Sequence, residues 1–300
     1  MLINGEKGYL GNNLVKRDGV QDSFTKEEVG EYVKCMNDPV YFAEKYIKVI
    51  SLDDGLVEFK PYDYQEKMFN HFNDNRFSIV LACRQSGKSI STVIYILWYA
   101  IFHPEKTIAI LANKGATARE MLSRVTLALE NLPFFLQPGC KALNKGNITF
   151  ANNTKIIAAA TSGSSIRGLS VNLLFLDEFA FVENAAEFYT STYPVVSAGK
   201  ETKVIITSTA NGVGNVFHRL YEGAIQNRNE FKAFRVDWWD VPGRDEKWKK
   251  QTIANTSEIQ FEQEFGNNFH GRSNTLISSD IILGLIAEDP QEFKNNISYY

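Results

Sequence analysis

Ala82-Cys83-Arg84-Gln85-Ser86-Gly87-Lys88-Ser89 is the stretch on which the reading of this 300-residue chain turns. It follows a short apolar run, Phe77 to Leu81, that reads as a buried strand. It leads into Ser89 to Phe102, which reads as a helix stopped by His103-Pro104. A glycine-containing turn between a strand and a helix is the setting that a phosphate-binding loop requires. Successive backbone N–H groups in such a turn form an anion-holding nest, reinforced by the helix N-terminus. Lys88 would then sit on the β and γ phosphates of ATP, with the Ser89 hydroxyl on a magnesium ion. Gly87 lets the backbone pass close to the phosphates. Ala82 stands where such loops commonly begin with glycine. The bland alternative is a chance Gly-Lys-Ser turn on the surface, against which the flanking strand and helix weigh.

A second stretch supports the first. Leu173 to Leu176 are four apolar residues running directly into Asp177 and Glu178. A buried strand ending in carboxylates places them at the carboxyl edge of a sheet, where ligands of open α/β sheets bind. Asp177 would hold the magnesium shell and Glu178 would polarise the attacking water. An ordinary acidic loop is the competing reading. A third run, Lys203 to Thr207, continues into Ser208 and Thr209. Those hydroxyls could sense the γ-phosphate or simply cap the next helix. Upstream, Tyr64-Gln65 precedes the first strand. A Gln amide can pair with the adenine edge and a Tyr ring can stack on its face, so both are candidate adenine-binding residues.

Outward from these motifs, strands and helices alternate. Thr107 to Leu111 reads as a strand, Ala116 to Leu132 as a helix, and Ile148 to Ala160 as a hairpin turning near Asn152-Asn153. The pattern predicts an α/β P-loop NTPase with a mostly parallel central sheet flanked by helices, plus a small satellite subdomain. The expected divisions are an N-terminal arm and helices over 1–60, the P-loop core over 61–214, a satellite or lid over 215–285, and a linker over 286–300. Within the first, 1–30 reads as a loosely held arm. Glu28 to Val49 reads as two short helices parted at Asp38-Pro39.

Composition narrows the function. A formal net charge of −3 is not that of a protein that binds nucleic acid through bulk charge, so any DNA contact must be local. Lys114, Arg119, Arg124, Lys141 and Lys145 are candidates for such a patch, or a plain solvated face. Cys35, Cys83 and Cys140 are too few and too scattered for a zinc site and read as reduced structural thiols. Neither a signal peptide nor an apolar run of about 18 residues is visible, so a soluble protein with no membrane partner is expected.

With these elements placed, the sequence resembles the large terminase subunit of tailed bacteriophages, the T-even type most closely. Tyr64-Gln65 matches that family's adenine motif, Cys83 to Ser89 its Walker A with the unusual Arg-Gln pair, and Leu174 to Glu178 its Walker B. Thr207 to Gly212 looks like its coupling motif, Ser165-Ile166-Arg167-Gly168 its Arg-Gly turn, and Phe269 to Ile277 the segment closing its ATPase region. The resemblance implies an ATP- and Mg2+-dependent motor that packages double-stranded DNA into a procapsid in the host cytoplasm. It also implies a homo-oligomeric ring that works with a portal protein and a small terminase subunit. Arg84 is then expected to sense nucleotide in cis, and Arg167 to complete a neighbouring subunit's active site in trans. The family continues into a nuclease, which this chain is not expected to supply. A superfamily-2-like helicase and a non-catalytic nucleotide-binding docking module are the rival readings. Trp238, Trp239 and Trp248 read as packing of the satellite or as a partner surface.

Overall fold

The structure, a computed structural model, describes residues 7–51, 53–162, 168–197 and 199–269. The chain begins with a two-stranded hairpin, β1 (Gly8–Tyr9) and β2 (Asn12–Lys16), followed by α1 (Lys26–Asn37) and α2 (Pro39–Tyr46). A second hairpin, β3 (Lys48–Ser51) with β4 (Gly55–Glu58), precedes α3 (Asp63–Asp74). Then come β5 (Phe77–Ala82), α4 (Lys88–Phe102), β6 (Thr107–Ala112) and α5 (Gly115–Glu130). The strands β7 (Cys140–Leu143), β8 (Asn147–Phe150), β9 (Lys155–Ala160) and β10 (Leu173–Asp177) lead to α6 (Ala185–Ser197). The described part closes with β11 (Lys203–Ser208), α7 (Val216–Ile225), β12 (Lys232–Val236), α8 (Glu246–Asn255) and α9 (Glu258–Glu264).

Eight strands form one sheet in the order β12-β5-β11-β10-β6-β9-β8-β7. From β12 to β9 every pairing is parallel, and β8 and β7 continue antiparallel at the far edge. Side chains alternate across this sheet with the period of two that a strand imposes. Val80 and Ala82 of β5, Ile108 and Ile110 of β6, and Leu173 and Phe175 of β10 face one core, shared with α1 to α5. Phe77, Ile79 and Leu81, Ala109 and Leu111, and Leu174 and Leu176 face the other, shared with α7 and the apolar side of α6. Covering on both faces explains why these strands read as continuous apolar runs rather than alternating ones.

Local chemistry sets the helix boundaries. Thr25 and Glu28 close a capping box at α1. Asp38 ends α1 in an extended conformation, and its carboxylate accepts from the backbone N–H groups of Val40 and Tyr41 to start α2, with Pro39 in the first turn. Ser257 caps α9, its hydroxyl accepting from Gln260 N at 3.2 Å.

Two sequence expectations are corrected. The N-terminal segment is not loosely held from residue 7 onward: Val15 is fully buried, and Lys16, also buried, forms an ion pair with Asp22 at 2.7 Å. The stretch beyond 214 is not all satellite, because α7 packs against the sheet and β12 pairs with β5 as a strand of the main sheet. Helices α8 and α9 follow β12, and their Trp248, Ile253 and Phe261 pack on the core shared with α1 to α5. Among the described residues no helix is long and apolar enough to cross a membrane, and Cys35, Cys83 and Cys140 are free and buried.

Candidate active site

The ends of β5, β11 and β10 are brought together by register: Thr207 pairs with Val80 on one side and with Asp177 on the other. One strand, β11, therefore lies between the strand that feeds the phosphate loop and the strand that carries the acids. The loop leaves β5 after Ala82 and turns through Gln85, at φ 56°, and Gly87, at φ 77°, which caps α4. Left-handed backbone at Gly87 admits α4 directly under the turn. Lys88 follows as the first helical residue and is only 6% exposed.

Five of the expected site residues meet here: Lys88, Ser89, Asp177, Glu178 and Thr207. Lys88 Nζ lies 2.8 Å from Glu178 Oε1. The Ser89 hydroxyl donates to Asp177 Oδ1 at 3.3 Å, and the Thr207 hydroxyl donates to the same oxygen at 2.7 Å. Glu178 is held at φ 49°, a conformation rare outside glycine, which swings its carboxylate back towards Lys88 and to 3.5 Å from the backbone N–H of Thr209. Ser208 accepts from the N–H of Ala180 at 3.2 Å, tying β11 to the turn after Glu178. The Thr207 hydroxyl thus engages the acid strand, and that of Ser208 the turn that follows it.

Tyr64, Gln65 and Arg84 each have partners within the protein. Gln65 is buried, with its amide oxygen accepting from Tyr62 N at 2.9 Å and its nitrogen donating to Ser91 Oγ at 3.0 Å. Each end of the amide thus has one partner inside the protein. The Tyr64 ring is also buried, and its hydroxyl donates to the Ser86 carbonyl at 2.7 Å. These two residues support the phosphate loop from beneath. A glutamine three residues after the extended residue that opens an apolar helix is a capping signal, and it would have pointed to this role. Arg84 forms an ion pair with Glu264 at 3.1 Å and so faces α9. Arg167 lies outside the described residues. Lys114, Arg119, Arg124, Lys141 and Lys145 are all exposed on α5 and the β7–β8 hairpin. Arg119 and Lys145 share a cleft with Glu120 and Glu130, so the charge there is mixed in sign. Trp238 is buried, Trp248 is half-buried against it and Trp239 is 59% exposed. Arg244, whose guanidinium reaches the phosphate loop, was not singled out by the sequence at all.

The donor set fits a nucleotide with magnesium. Ser86 Oγ is buried in the loop without a hydrogen-bond partner, an uncompensated polar atom of the kind an incoming phosphate would satisfy. Among the described residues no group of three or more His, Cys, Asp or Glu side chains could hold a metal alone. Magnesium typically takes one or two protein oxygens plus phosphates, and the Ser89 hydroxyl and the Asp177 carboxylate are of that type. Burial, reinforced by the neighbouring Glu178, raises the Asp177 carboxyl to about 6 against the opposing pull of Lys88, Thr207 and Ser89.

That shift has a stability consequence. An acid whose folded pKa is raised keeps a proton that the unfolded chain releases, so stability falls as pH rises from about 4 to about 6 and the deficit persists above. In metal- and nucleotide-free protein at pH 7.5, Asp177→Asn should therefore melt higher by a few degrees, on the scale of ~2–4 °C per kcal/mol. The advantage should vanish near pH 4. Thermal melts across that range decide it, and a lower melting point at pH 7.5 would contradict the sign. Gly87 gives the opposite result. A Cβ there would stand 2.6 Å from Gln65 Nε2 on left-handed backbone, so Gly87→Ala should cost about 1–3 kcal/mol. Calorimetry that found no loss would show that the loop relaxes freely.

A parallel sheet with a glycine turn gripped by a lysine-led helix, and acids two strands away, defines the P-loop NTPase fold. The family model for the terminase large subunit, T4likevirus-type, N-terminal, matches residues 79–283, and the chain belongs to that family. The terminase large subunit of Thermus virus P23-45 is 21% identical over 254 residues, covering 74% of this chain and 51% of that protein. The chain thus spans about half the length of that relative. The ATPase domain of the Thermus phage P74-26 large terminase superposes with a TM-score of 0.58 at 20% identity, over 70% of this chain and 94% of that one. The large terminase of the thermophilic bacteriophage D6E, solved in complex with ADP, gives a TM-score of 0.57 at 14% identity over 70% of this chain and 54% of that one.

Proposed function

We propose that this chain is the ATPase part of a DNA-packaging motor that hydrolyses ATP to drive double-stranded viral DNA into a procapsid. The observation that carries the reading is the convergence of Lys88, Ser89, Asp177 and Glu178 from two elements about 90 residues apart (88 for the Ser89–Asp177 pair) into direct contact at one sheet edge. Membership of the terminase family supports the packaging role.

In this mechanism the loop N–H groups and Lys88 bind the phosphates. Glu178, paired with Lys88 before nucleotide arrives, yields that partner to the γ-phosphate and turns to water. Water oxygen attacks the γ-phosphorus, the bond to the β–γ bridging oxygen breaks, and the water proton passes to Glu178, leaving ADP and inorganic phosphate. Ser89 and Asp177 would hold a magnesium ion, with Thr207 orienting the Asp177 carboxylate. Magnesium, when bound, neutralises charge building on the β and γ oxygens. Tyr64 and Gln65 act through the loop they support. Double-stranded DNA, a portal protein, a small terminase subunit and further copies in a ring are the partners that we assign, with the host cytoplasm as the place of action.

The test adds the chain, magnesium and ATP to portal-bearing procapsids and duplex DNA. ATP-dependent protection of the DNA from added nuclease is expected. Steady ATP hydrolysis without protection would remove the motor role, and no hydrolysis at all would remove the enzyme.

A further inference from the structure

A phosphate loop can present its N–H groups inward only if its carbonyls are turned outward and held there. The Ser86 carbonyl is held by Tyr64. The carbonyls of Arg84 and Gln85 both accept from a single side-chain nitrogen, Arg244 Nη2, each at 3.1 Å. Nη1 of the same guanidinium lies 3.3 Å from Cys83 Sγ. The guanidinium is itself fixed by stacking, with Cζ 4.8 Å from the Trp248 ring centre and 5.4 Å from that of Phe265. Glu264 adds a second grip, because its carbonyl accepts from Arg84 N at 2.8 Å and its carboxylate from the Arg84 side chain. Arg244, just before α8, and Glu264, at the end of α9, therefore both hold the outer rim of the loop.

We propose that Arg244 is a positioning residue for the phosphate loop: it keeps the 84 and 85 carbonyls turned out so that the N–H groups face the phosphates. Through its stack on Trp248 it also reports the state of the loop to α8 and α9. The proposal rests on the ATP-binding reading above. Arg244 carries both of these bonds, the contact with Cys83 Sγ and the position over the Trp248 ring on one rigid group. Lysine at this position keeps the charge but not the rigid plane that fixes the bonds and the ring contact together.

The experiment measures ATP affinity by calorimetry and tryptophan fluorescence in the natural chain, Arg244→Ala, Arg244→Lys and Trp248→Phe. Losing two bonds from a charged donor predicts roughly 10- to 100-fold weaker ATP binding in Arg244→Ala. The natural chain should change its fluorescence on binding ATP, and Trp248→Phe should lose most of that change. Arg244→Ala at saturating ATP should lose it as well, which a residue needed only for folding would not produce. If Arg244→Ala does not fold, Arg244→Lys decides: weaker binding with a reduced signal supports the role, and natural affinity with the natural signal overturns it. Failure of the natural chain to bind ATP would fell the functional reading itself. Normal binding by the natural chain and by both variants would fell only the role of Arg244.

Discussion

Glu178→Gln should bind ATP at least as tightly as the natural chain and hydrolyse it roughly 10²–10⁴-fold more slowly. Lys88→Ala should lose measurable affinity. The asymmetry follows from the 2.8 Å ion pair between them, in which the lysine is deeply buried and the glutamate is about one-third exposed. In the natural chain the γ-phosphate must displace a carboxylate from Lys88. A glutamine holds that ammonium less strongly, so the phosphate meets less competition, while the amide cannot take a proton from water. Removing the ammonium leaves Glu178 and Asp177 facing the phosphates without a counter-charge, which repels the nucleotide outright. Equilibrium binding and single-turnover hydrolysis separate the two effects. Near-natural hydrolysis in Glu178→Gln would reassign the base. Weaker ATP binding in the same variant would show that the Lys88–Glu178 pair does not compete with the phosphate.

The parts of this site that were legible in the sequence share a property: each sits at the end of a continuous apolar run. β5, β10 and β11 are buried on both faces, so their sequences announce strands, and the residues immediately after them announce the carboxyl edge. β12 escaped that logic. Lys232 and Arg235 are exposed while Val236 is buried, because the strand lies at the sheet edge and only part of it is covered. Its partner β5 is some 150 residues away in the chain, which no local pattern encodes.

The partners of the polar side chains were hidden for a related reason. Residue type reveals what Gln65, Tyr64 and Arg84 can bond to, but not which way each one points. The Gln65 amide accepts from Tyr62 N and donates to Ser91 Oγ of α4. Arg84 meets Glu264 across a separation of 180 residues. Arg244 looks in the sequence like one charge in a run of charges. Only the packing of Trp248 and Phe265 against its plane turns it into a clamp.

The diversion of Arg84 bears on the last expected result. Charge developing on the γ-phosphate during hydrolysis calls for an arginine, which in related chemistry is worth roughly 10³–10⁵ in rate. Arg84 was the candidate expected to act in cis, yet its guanidinium is on Glu264, and that of Arg244 is on the outer carbonyls of the loop. Neither is offered to the γ-phosphate in this structure. The remaining candidate from the sequence is Arg167, in the Arg-Gly turn ten residues before Asp177, supplied to the site of a neighbouring copy. The isolated chain should then hydrolyse ATP slowly, and its specific activity should rise with protein concentration under conditions that assemble it. Arg167→Ala should bind ATP normally and lose most of that rise. Mixing Arg167→Ala with Glu178→Gln chains should restore part of the activity, because some mixed interfaces pair an intact pocket with an intact arginine. Two copies of the same variant can never make that pair, so restoration in the mixture is specific to action between subunits. Specific activity that stays flat with concentration, together with a mixture no more active than its parts, would return the role to an arginine of the same chain. Arg84 released from Glu264 would then be the first to test, through Glu264→Ala.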